Sequence, residues 1–280
     1  MKRSERMSVA RDTVEVVKRG YYDVNGKRVD IARSVNDCLT ATRMIDANEL
    51  YSIRDSLVHR PGQHTTEIEV VNETTLAGLQ RLASSPTIDR LGILNFASAK
   101  NPGGGFLNGS QAQEESLARS SALHASLIRV FHFYEQHRES PSCLYSDNMI
   151  FSPECPVFRD DEGEFLQQPL LASFITSPAP NAGATADNRP HELPMIPQAL
   201  KARSELVIAL AASQGISTLI LGAWGCGVFR NDPSIVAQSF ASHIHGQWAG
   251  RFRKIVFSVL DKSEANDTFQ AFESVFKKAA

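Results

Sequence analysis

The sequence predicts an α/β layered fold with a largely parallel central sheet. From residue 66 onward, short apolar runs alternate with segments of helical spacing, which is the pattern of strands joined by helices. Three of the apolar runs end in glycine- or proline-rich loops, after Ala97, Thr176 and Leu221. Because ligands in open α/β sheets bind beyond the carboxyl ends of the strands, we expect these loops to converge on one site.

Residues 1–65 are predicted to form a mainly helical extension ahead of a domain over residues 66–280. Apolar residues among charges predict a first helix over 4–18, and Gly20 is its expected stop. The pair Asn25-Gly26 predicts a tight hairpin, because these residues favour the two positive φ values of the turn. The other predicted segments of this region are a helix over 32–45 and a connector over 54–65.

The elements of the main domain follow from the same periodicities. The predicted strands cover 68–71, 93–97, 145–151, 173–176, 218–221 and 254–260. The predicted helices cover 73–83, 113–133, 198–213, 233–248 and 263–277. Gly163 in the acidic stretch 159–164 predicts a solvated hairpin tip rather than a metal site.

The most informative stretch follows the strand predicted over 93–97. Three consecutive glycines, 103–105, predict a backbone path that side chains would block. Such a loop before a helix can present N–H groups to an anion. The triplet Gln113-Glu114-Glu115 then opens the helix. Carboxylates at a helix start are also favoured by the helix dipole, so the pair alone has an ordinary structural explanation.

Composition narrows the classes of function. The chain has 280 residues, 42% hydrophobic and 21% charged, which is typical of a globular protein. A net charge of -2 offers no general basic surface, so we expect no direct sequence-specific binding of nucleic acid. The four scattered cysteines form no CxxC pair and are expected to be reduced thiols. With no secretory or membrane-spanning apolar run, we expect a cytoplasmic location, or a nuclear one in a eukaryote, and no membrane partner.

The motif NPGGG, followed after seven residues by Gln113-Glu114-Glu115, resembles the signature of poly(ADP-ribose) glycohydrolases. The later segment GAWGCGVFRN resembles the bacterial-type (microbial) members, within the macrodomain superfamily. The resemblance covers roughly residues 66–260 and extends more loosely over 1–65. It implies a three-layer, macrodomain-like fold with a mixed, largely parallel sheet. It also implies hydrolysis of ribose–ribose O-glycosidic bonds in poly(ADP-ribose) or ADP-ribosylated proteins, release of ADP-ribose, and no cofactor or metal.

The resemblance also assigns roles to matching residues. Glu115 matches the catalytic acid/base, and Glu114 matches the neighbour that hydrogen-bonds ribose hydroxyls. The positions expected to bind substrate are Asn95, Asn101, Gly103, Gly104, Gly105, Gln113, Gly225, Cys226, Gly227, Val228 and Phe229. Within that set, the first three glycines match the loop beside the scissile ribose, residues 225–228 match the diphosphate loop, and Phe229 matches an aromatic near the distal ribose.

Cleavage of an acetal needs a proton for the departing oxygen and stabilisation of an oxocarbenium-like centre. Adjacent glutamates on a helix point about 100° apart, so they cannot easily straddle one bond. We therefore expect Glu115 to act first as acid and then as base toward water, while the substrate's diphosphate stabilises positive charge. This scheme requires a carboxyl whose pKa is raised by burial or by its neighbour.

Other motifs are weaker. His243 and His245 lie two apart on a predicted helix, on roughly opposite faces, and do not have zinc spacing. Cys226 is more consistent with a small residue near a phosphate than with a nucleophile, since no Cys/His signature accompanies it. Trp224 could stack on a ring or pack in the core. Walker and dinucleotide-binding patterns are absent from the sequence.

Three hypotheses remain from the sequence. The first is a poly(ADP-ribose) glycohydrolase, the second a mono-ADP-ribosyl hydrolase, and the third a non-catalytic ADP-ribose-binding module. The paired glutamates favour catalysis, because a binding module does not need them at the scissile ribose. Whether chain ends or internal bonds are cut stays open.

Overall fold

A computed structural model describes residues 1–84 and 90–277 of the chain. Its strands are β1 (Tyr21–Val24), β2 (Lys27–Asp30), β3 (Arg43–Ile45), β4 (Glu67–Val71), β5 (Leu91–Phe96), β6 (Met149–Arg159), β7 (Phe165–Ser177), β8 (Thr218–Leu221) and β9 (Lys254–Ser258). Its α-helices are α1 (Arg3–Arg19), α2 (Ala32–Ala41), α3 (Ala47–Leu57), α4 (Thr75–Ala83), α5 (Gln113–Ser120), α6 (Leu123–Leu127), α7 (His132–Glu139), α8 (Ala182–Asn188), α9 (Ile196–Ser213), α10 (Pro233–Ile244) and α11 (Asp267–Lys277).

Within the described residues, seven strands form one sheet in the order β3-β6-β7-β5-β8-β9-β4. The pairs β7–β5, β5–β8, β8–β9 and β9–β4 are parallel, whereas β3–β6 and β6–β7 are antiparallel. Strand β5 occupies the centre, so the loop that follows it emerges in the middle of the sheet's carboxyl edge. The predicted α/β class with a mixed, largely parallel sheet is confirmed.

Helices cover both faces of this sheet, which gives three layers. The central strand β5 is covered on both faces. Its consecutive residues Ile93 and Leu94 are both fully buried but belong to different core clusters. Side chains alternate between the faces of a strand, so a strand buried on both faces must be apolar throughout. The core around Leu94 includes α9 and α10, and the core around Ile93 includes α4 and α6.

The first 41 residues fold largely as the sequence predicts. Helix α1 ends at Gly20, which has a φ of 77°, and the β1–β2 hairpin turns at Asn25 and Gly26 with φ values of 52° and 73°. The predicted helix over 32–45 is wrong at its end, because it stops at Ala41. Strand β3 follows and pairs with β6, so part of residues 1–65 belongs to the main sheet. The boundary at residue 65 stays a prediction, and residues 278–280 of the predicted domain lie outside the described residues.

Two other predicted segments are wrong. The connector predicted over 54–65 begins inside α3, whose start is capped by Asp46 accepting a 2.9 Å hydrogen bond from the N–H of Glu49. The continuous helix predicted over 113–133 is interrupted at Ser121, which is extended and bridges to Val157. Its hydroxyl donates to the carbonyl of Leu117 at 2.6 Å, so the break is stabilised by a local side-chain bond.

The remaining elements differ mainly in their ends. Strands β6 and β7 form a long hairpin, much longer than the strands predicted over 145–151 and 173–176. The predicted hairpin tip is confirmed as a turn, but its Gly163 is buried against α1 rather than solvated. Of the described helices, none is long and apolar enough to cross a membrane.

Candidate active site

The first residue of α5 fastens this helix to the end of the central strand. The Gln113 carboxamide oxygen accepts a 2.9 Å hydrogen bond from the N–H of Phe96, and its nitrogen donates to the carbonyl of Leu94 at 2.8 Å. The same nitrogen lies 3.2 Å from the hydroxyl of Thr75 on α4. Both ends of the carboxamide are therefore used by the protein, and the residues after Gln113 start from a fixed point beside β5.

The next residue, Glu114, points into the interior and is 2% exposed. Its Oε2 accepts a 2.7 Å hydrogen bond from the N–H of Ser98, and its Oε1 accepts one from Asn95 Nδ2 at 3.2 Å. Burial raises the pKa of the Glu114 carboxyl to about 8, and the charge of Glu115 contributes in the same direction. The sequence argument requires a raised pKa at the proton donor, Glu115, whereas the structure raises the pKa of its neighbour, Glu114.

The carboxylate of Glu115 turns toward the loop between β5 and α5, residues 97–112, which we call the glycine loop. Its Oε1 accepts a 3.0 Å hydrogen bond from the N–H of Gly105. Gly104 has a φ of 59°, and a Cβ there would overlap the Glu115 carboxylate and lie 3.4 Å from Glu114 Oε2. The two carboxyl groups therefore converge on the bare backbone of Gly104, although they diverge around the helix axis.

The two predicted asparagines have different surroundings. Asn95 is fully buried and donates to both Glu114 and the Thr176 hydroxyl, so it supports Glu114 from below. Its Oδ1 makes no hydrogen bond within the described part of the chain. Asn101 is exposed, and its side-chain oxygen lies 3.4 Å from Arg138 Nη2.

A cleft of about 410 Å³ opens beside this helix tip at the carboxyl ends of the strands. It is lined by Gln111 and Ala112 at the end of the glycine loop, by Ala179 after β7 and by residues 225–229 after β8. The predicted convergence of three loops is therefore confirmed. Gln113 also lines the cleft. The predicted site residues outside its lining, within the described ranges, are Asn95, Asn101, Gly103, Gly104, Gly105, Glu114 and Glu115.

The loop after β8, residues 222–231, is called the β8 loop below. Its Gly225 has a φ of 74°, and a Cβ there would overlap the carboxamide of Asn231. Asn231 donates to the carbonyl of Pro180 at 2.8 Å, so the base of the loop is fixed to the chain after β7. At the tip the packing ends: a Cβ on Gly227 would meet nothing within 4 Å, and Val228 is 81% exposed.

Two residues of the β8 loop, Trp224 and Cys226, had more than one possible role in the sequence analysis, and their contacts favour packing for both. Trp224 is fully buried and donates from Nε1 to the carbonyl of Ser177 at 2.9 Å, which favours core packing. Burial raises the pKa of the Cys226 thiol to about 12, with a contribution from the charge of Asp232. A neutral thiol is a poor nucleophile, so the structure favours a packing role for Cys226.

Behind Phe229 lies an aromatic residue that the sequence argument missed. The ring of Tyr145 has its centroid 6.1 Å from that of Phe229, and Tyr145 has a φ of 59°. Its carbonyl accepts a 3.1 Å hydrogen bond from Arg203, which is 2% exposed and also pairs with Asp147 at 2.9 Å. Only a long-range contact brings Arg203 to this place, so no local pattern could have identified it.

The other end of the cleft is acidic. Asp161, from the hairpin tip between β6 and β7, lines it together with Glu73 and Thr74. The hydroxyl of Thr74 donates to the Asp161 carboxylate, and burial raises the pKa of Asp161. The acidic stretch was predicted to be solvated. In the sequence, the carboxylates around Gly163 are the feature that marks this end of the cleft. They do not indicate that the hairpin folds back over the cleft.

The histidines and cysteines of the described residues do not form a metal site. Across residues 1–84 and 90–277, no group of three or more His, Cys, Asp or Glu side chains is arranged to hold a metal ion. His243 Nε2 lies 2.8 Å from the carbonyl of Lys201, which accounts for that ring nitrogen. All four cysteines are free thiols.

The chain is similar to proteins of known structure. Residues 10–160 match the family model of the microbial-type PARG catalytic domain. The crystal structure of poly(ADP-ribose) glycohydrolase from Thermomonospora curvata is 44% identical, with a TM-score of 0.92 over 98% of this chain and 100% of that one. The same protein bound to the inhibitor ADP-HPD is 43% identical, with a TM-score of 0.89 over 97% and 99% of the two chains.

A second organism gives a similar result. The poly(ADP-ribose) glycohydrolase of Deinococcus radiodurans in complex with ADP-ribose is 42% identical, with a TM-score of 0.82 over 87% of this chain and 97% of that one. A comparison with curated protein sequences returned no match.

Proposed function

The chain belongs to the microbial-type poly(ADP-ribose) glycohydrolase family, and we propose that it uses Glu115 as the acid and base that hydrolyse the ribose–ribose bond. It is a glycosidase that releases ADP-ribose from poly(ADP-ribose). One observation carries the proposed residue roles: the carboxyl groups of Glu114 and Glu115 converge on the bare backbone of Gly104. A ribose bound beside these two carboxyl groups would meet no side chain from residue 104.

The proposed reaction has two steps. In the first, the Glu115 carboxyl gives its proton to the departing ribose oxygen, and the electrons of the broken C–O bond pass to that oxygen. The sugar centre left behind is positive and is stabilised by the substrate's own diphosphate. In the second step the Glu115 carboxylate takes a proton from water, whose oxygen forms the new bond to that centre. The proton that Glu115 gives up in the first step is thereby replaced in the second.

Glu114 supports this role by remaining neutral. Burial raises the pKa of Glu114 to about 8, so this carboxyl adds little negative charge beside the reacting bond at neutral pH. We assign it the task of hydrogen bonding ribose hydroxyls, since Ser98 and Asn95 hold both of its oxygens in fixed positions. Gln113 contributes by fixing the helix tip, because its carboxamide is bonded to the backbone of β5.

The cleft accounts for the rest of an ADP-ribose unit in this proposal. The exposed tip of the β8 loop, Gly227 and Val228, offers backbone to the diphosphate, and Phe229 offers a ring beside the distal ribose. Asp161 and Thr74 at the acidic end are acceptors suited to the amino group of a purine. The glycohydrolase of Deinococcus radiodurans, solved with ADP-ribose, supports this ligand. On this basis we propose that the chain binds ADP-ribose as a macrodomain does. We also propose a cytoplasmic location, because its four cysteines are free thiols.

The test of Glu115 uses an isosteric substitution. We expect Glu115→Gln to release ADP-ribose from labelled polymer at least about 1,000-fold more slowly than wild type, because the proton donor is gone. Affinity for ADP-ribose, measured by calorimetry, should change by less than about threefold. The matched control is Glu139→Gln, which makes the same change at an exposed carboxylate of α7 and should leave turnover unchanged. Equal rates for Glu115→Gln and wild type would remove Glu115 from the mechanism.

The same assay separates the alternative functions. A mono-ADP-ribosyl hydrolase would release the protein-linked unit from a mono-modified substrate and leave the polymer intact. A binding module would retain affinity for ADP-ribose without turning over either substrate. We expect the wild-type protein to shorten the polymer and to release free ADP-ribose.

A further inference from the structure

Helix α1 received no functional role from the sequence, yet it lies directly against the glycine loop. Arg3 Nε donates a 3.0 Å hydrogen bond to the carbonyl of Asn108. Arg6 Nε donates a 2.8 Å hydrogen bond to the carbonyl of Gly109. These partners are more than 100 residues apart in the chain. The two arginines therefore connect the N-terminal helix to the loop that carries the three glycines.

The loop approaches α1 closely enough to exclude a side chain. Gly109 has a φ of 72°, and a Cβ there would lie 2.6 Å from the carbonyl oxygen of Arg3. Phe106, in the 3₁₀ turn just before it, is 1% exposed and packs in a small cluster with Ala10 of α1 and Ala118 of α5. An apolar contact and a backbone contact thus hold the same face of the loop on α1.

The opposite face of the loop meets the catalytic carboxylate. The N–H of Gly105 donates to Glu115 at 3.0 Å. Inside the loop, Ser110 N–H donates to the carbonyl of Gly105 at 3.2 Å, and Gly109 N–H donates to that of Phe106 at 3.0 Å. The loop is therefore hydrogen-bonded from one face to the other. A displacement at Gly109 would be transmitted to the donor that orients Glu115.

A second connection holds the end of the loop. Thr13 of α1 is buried, and its hydroxyl donates to the carbonyl of Arg119 at 2.5 Å. Arg119 donates in turn to the carbonyl of Ser110 at 2.7 Å and to the carboxamide oxygen of Gln111, also at 2.7 Å. Arg119 lies on the same helix as the glutamates, so α1 supports both the loop and the helix that face each other at Gly104.

We propose that α1 is a clamp that sets the position of the glycine loop, and that Arg6 is a positioning residue acting on Glu115 through Gly109 and Gly105. This inference rests on the proposed function, since it concerns the residue assigned to proton transfer. Arg6 does not line the cleft. Its guanidinium bonds go to Gly109 and to the carbonyl of Met1. Its removal should therefore change the chemical step rather than the affinity for ADP-ribose.

The kinetic test compares three variants of the full chain. We expect Arg6→Ala to lower kcat by about 10- to 100-fold, because misplacement of catalytic groups by about 1 Å has effects of this size. The KM for polymer and the affinity for ADP-ribose should stay within about twofold. Arg6→Lys keeps the charge and one donor, so we expect it to recover part of the loss. Arg11→Ala is the matched control, because Arg11 is exposed on the same helix and its side chain makes no hydrogen bond within the described residues.

Amide hydrogen exchange gives a second, independent measurement. In Arg6→Ala we expect the amides of residues 103–110 to exchange at least about tenfold faster than in wild type. The amides of α9 should exchange at the wild-type rate, because this helix packs on the other face of the sheet. Faster exchange confined to the glycine loop would support the clamp, and equally faster exchange in α9 would indicate general destabilisation and overturn it.

Failure of this inference and failure of the proposed function give different results. If wild type turns over polymer while Arg6→Ala matches it in kcat and in loop exchange, the clamp is rejected and the glycohydrolase mechanism stands. If the loss of kcat in Arg6→Ala is accompanied by an equal loss of ADP-ribose affinity, the positioning role is also rejected. If wild type has no turnover, the exchange experiment still tests the clamp, because it does not depend on activity.

Discussion

The glycine loop and the β8 loop meet on the same side of the sheet but use their glycines in opposite ways. At Gly104 the space for a side chain is already filled by the carboxylate of Glu115. At Gly227 a Cβ would meet nothing within 4 Å. The first glycine is required by the protein itself, whereas the second leaves open space that the proposal assigns to the ligand. A glycine-rich sequence therefore does not reveal which kind of loop it encodes.

The two regions also differ in charge and burial. At the helix tip, the Glu114 carboxyl is buried, and burial raises its pKa to about 8. This carboxyl accepts hydrogen bonds from Ser98 and Asn95. The β8 loop ends in Val228, which is 81% exposed. Rigid, buried groups suit catalysis, because their positions do not need to be reorganised during the reaction. An open loop tip suits binding of a ligand that arrives from solvent.

The largest effect in this comparison is expected for Gly104→Ala. The new methyl group would overlap the Glu115 carboxylate at a φ of 59°, so Glu115 must move. We expect kcat to fall by about 100-fold or more, with a loss of about 1 to 3 kcal/mol in the free energy of unfolding. Steady-state kinetics and urea denaturation would measure the two effects.

The hairpin residue Gly26 supplies the matched control for Gly104→Ala. It has a φ of 73°, and a Cβ there would meet nothing within 4 Å. Gly26→Ala should reduce stability by about 1 kcal/mol and leave kcat unchanged. A wild-type kcat in Gly104→Ala would contradict the idea that the protein needs this glycine for catalysis.

The second prediction concerns the response of the helix tip to pH. The Glu114 carboxyl ionises near its ordinary value of 4.5 in the unfolded chain but near 8 in the folded protein. The folded state then binds more protons between these values, so the free energy of unfolding falls as pH rises from about 5 to 8. The decrease should be on the order of 3 to 5 kcal/mol, at about 1.4 kcal/mol for each unit between the two pKa values.

Denaturation of wild type and Glu114→Gln across this pH range would test that prediction. The variant Glu114→Gln cannot ionise at this position. Its free energy of unfolding should therefore fall much less than that of wild type as pH rises from about 5 to 8. Glu139→Gln, at an exposed position, should keep the wild-type pH dependence. Parallel curves for wild type and Glu114→Gln would mean that Glu114 ionises normally in the folded state, and the contrast in charge between the two regions would disappear.

The smallest effect is expected at the tip of the β8 loop. Gly227→Ala adds a methyl group in open space, and Gly227 is not in the left-handed region, so stability should stay within about 0.5 kcal/mol of wild type. If the backbone there contacts the diphosphate, ADP-ribose should bind about tenfold more weakly, which corresponds to about 1.4 kcal/mol. Calorimetric titration gives this number directly. An unchanged affinity would show that the open space at Gly227 is not used by the ligand.

Several features of the fold could be predicted from local sequence because their physical causes are local. The β1–β2 hairpin follows from the backbone preferences of Asn25 and Gly26, and α1 ends where Gly20 permits a positive φ. The failures also have local explanations. Helix α3 begins at a capping residue, Asp46, with Glu49 three positions later, which is a local signal for the start of a helix.

The residues of the candidate site also fall into two groups, those that local sequence identifies and those that only long-range packing brings together. The residues of the helix tip, Glu114 and Glu115, could be identified from the sequence because they adjoin the glycines in one continuous motif. Asp161 could not, because it reaches the cleft from a distant part of the chain. Nor could Tyr145 and Arg203, which are brought together behind Phe229 by long-range contacts. Their side chains are informative only once the β6–β7 hairpin and α9 have packed against the sheet.

The fold class, the family and the two carboxyl groups could be identified from the residues alone, because periodicity and a short motif encode them. Tertiary packing sets which carboxyl group is buried, which glycine is enclosed by protein, and what supports the glycine loop. Burial raises the pKa of Glu114 and α1 contacts Gly109, and both effects depend on neighbours far away in the chain. Long-range packing sets these properties, and no local pattern of residues carries that information.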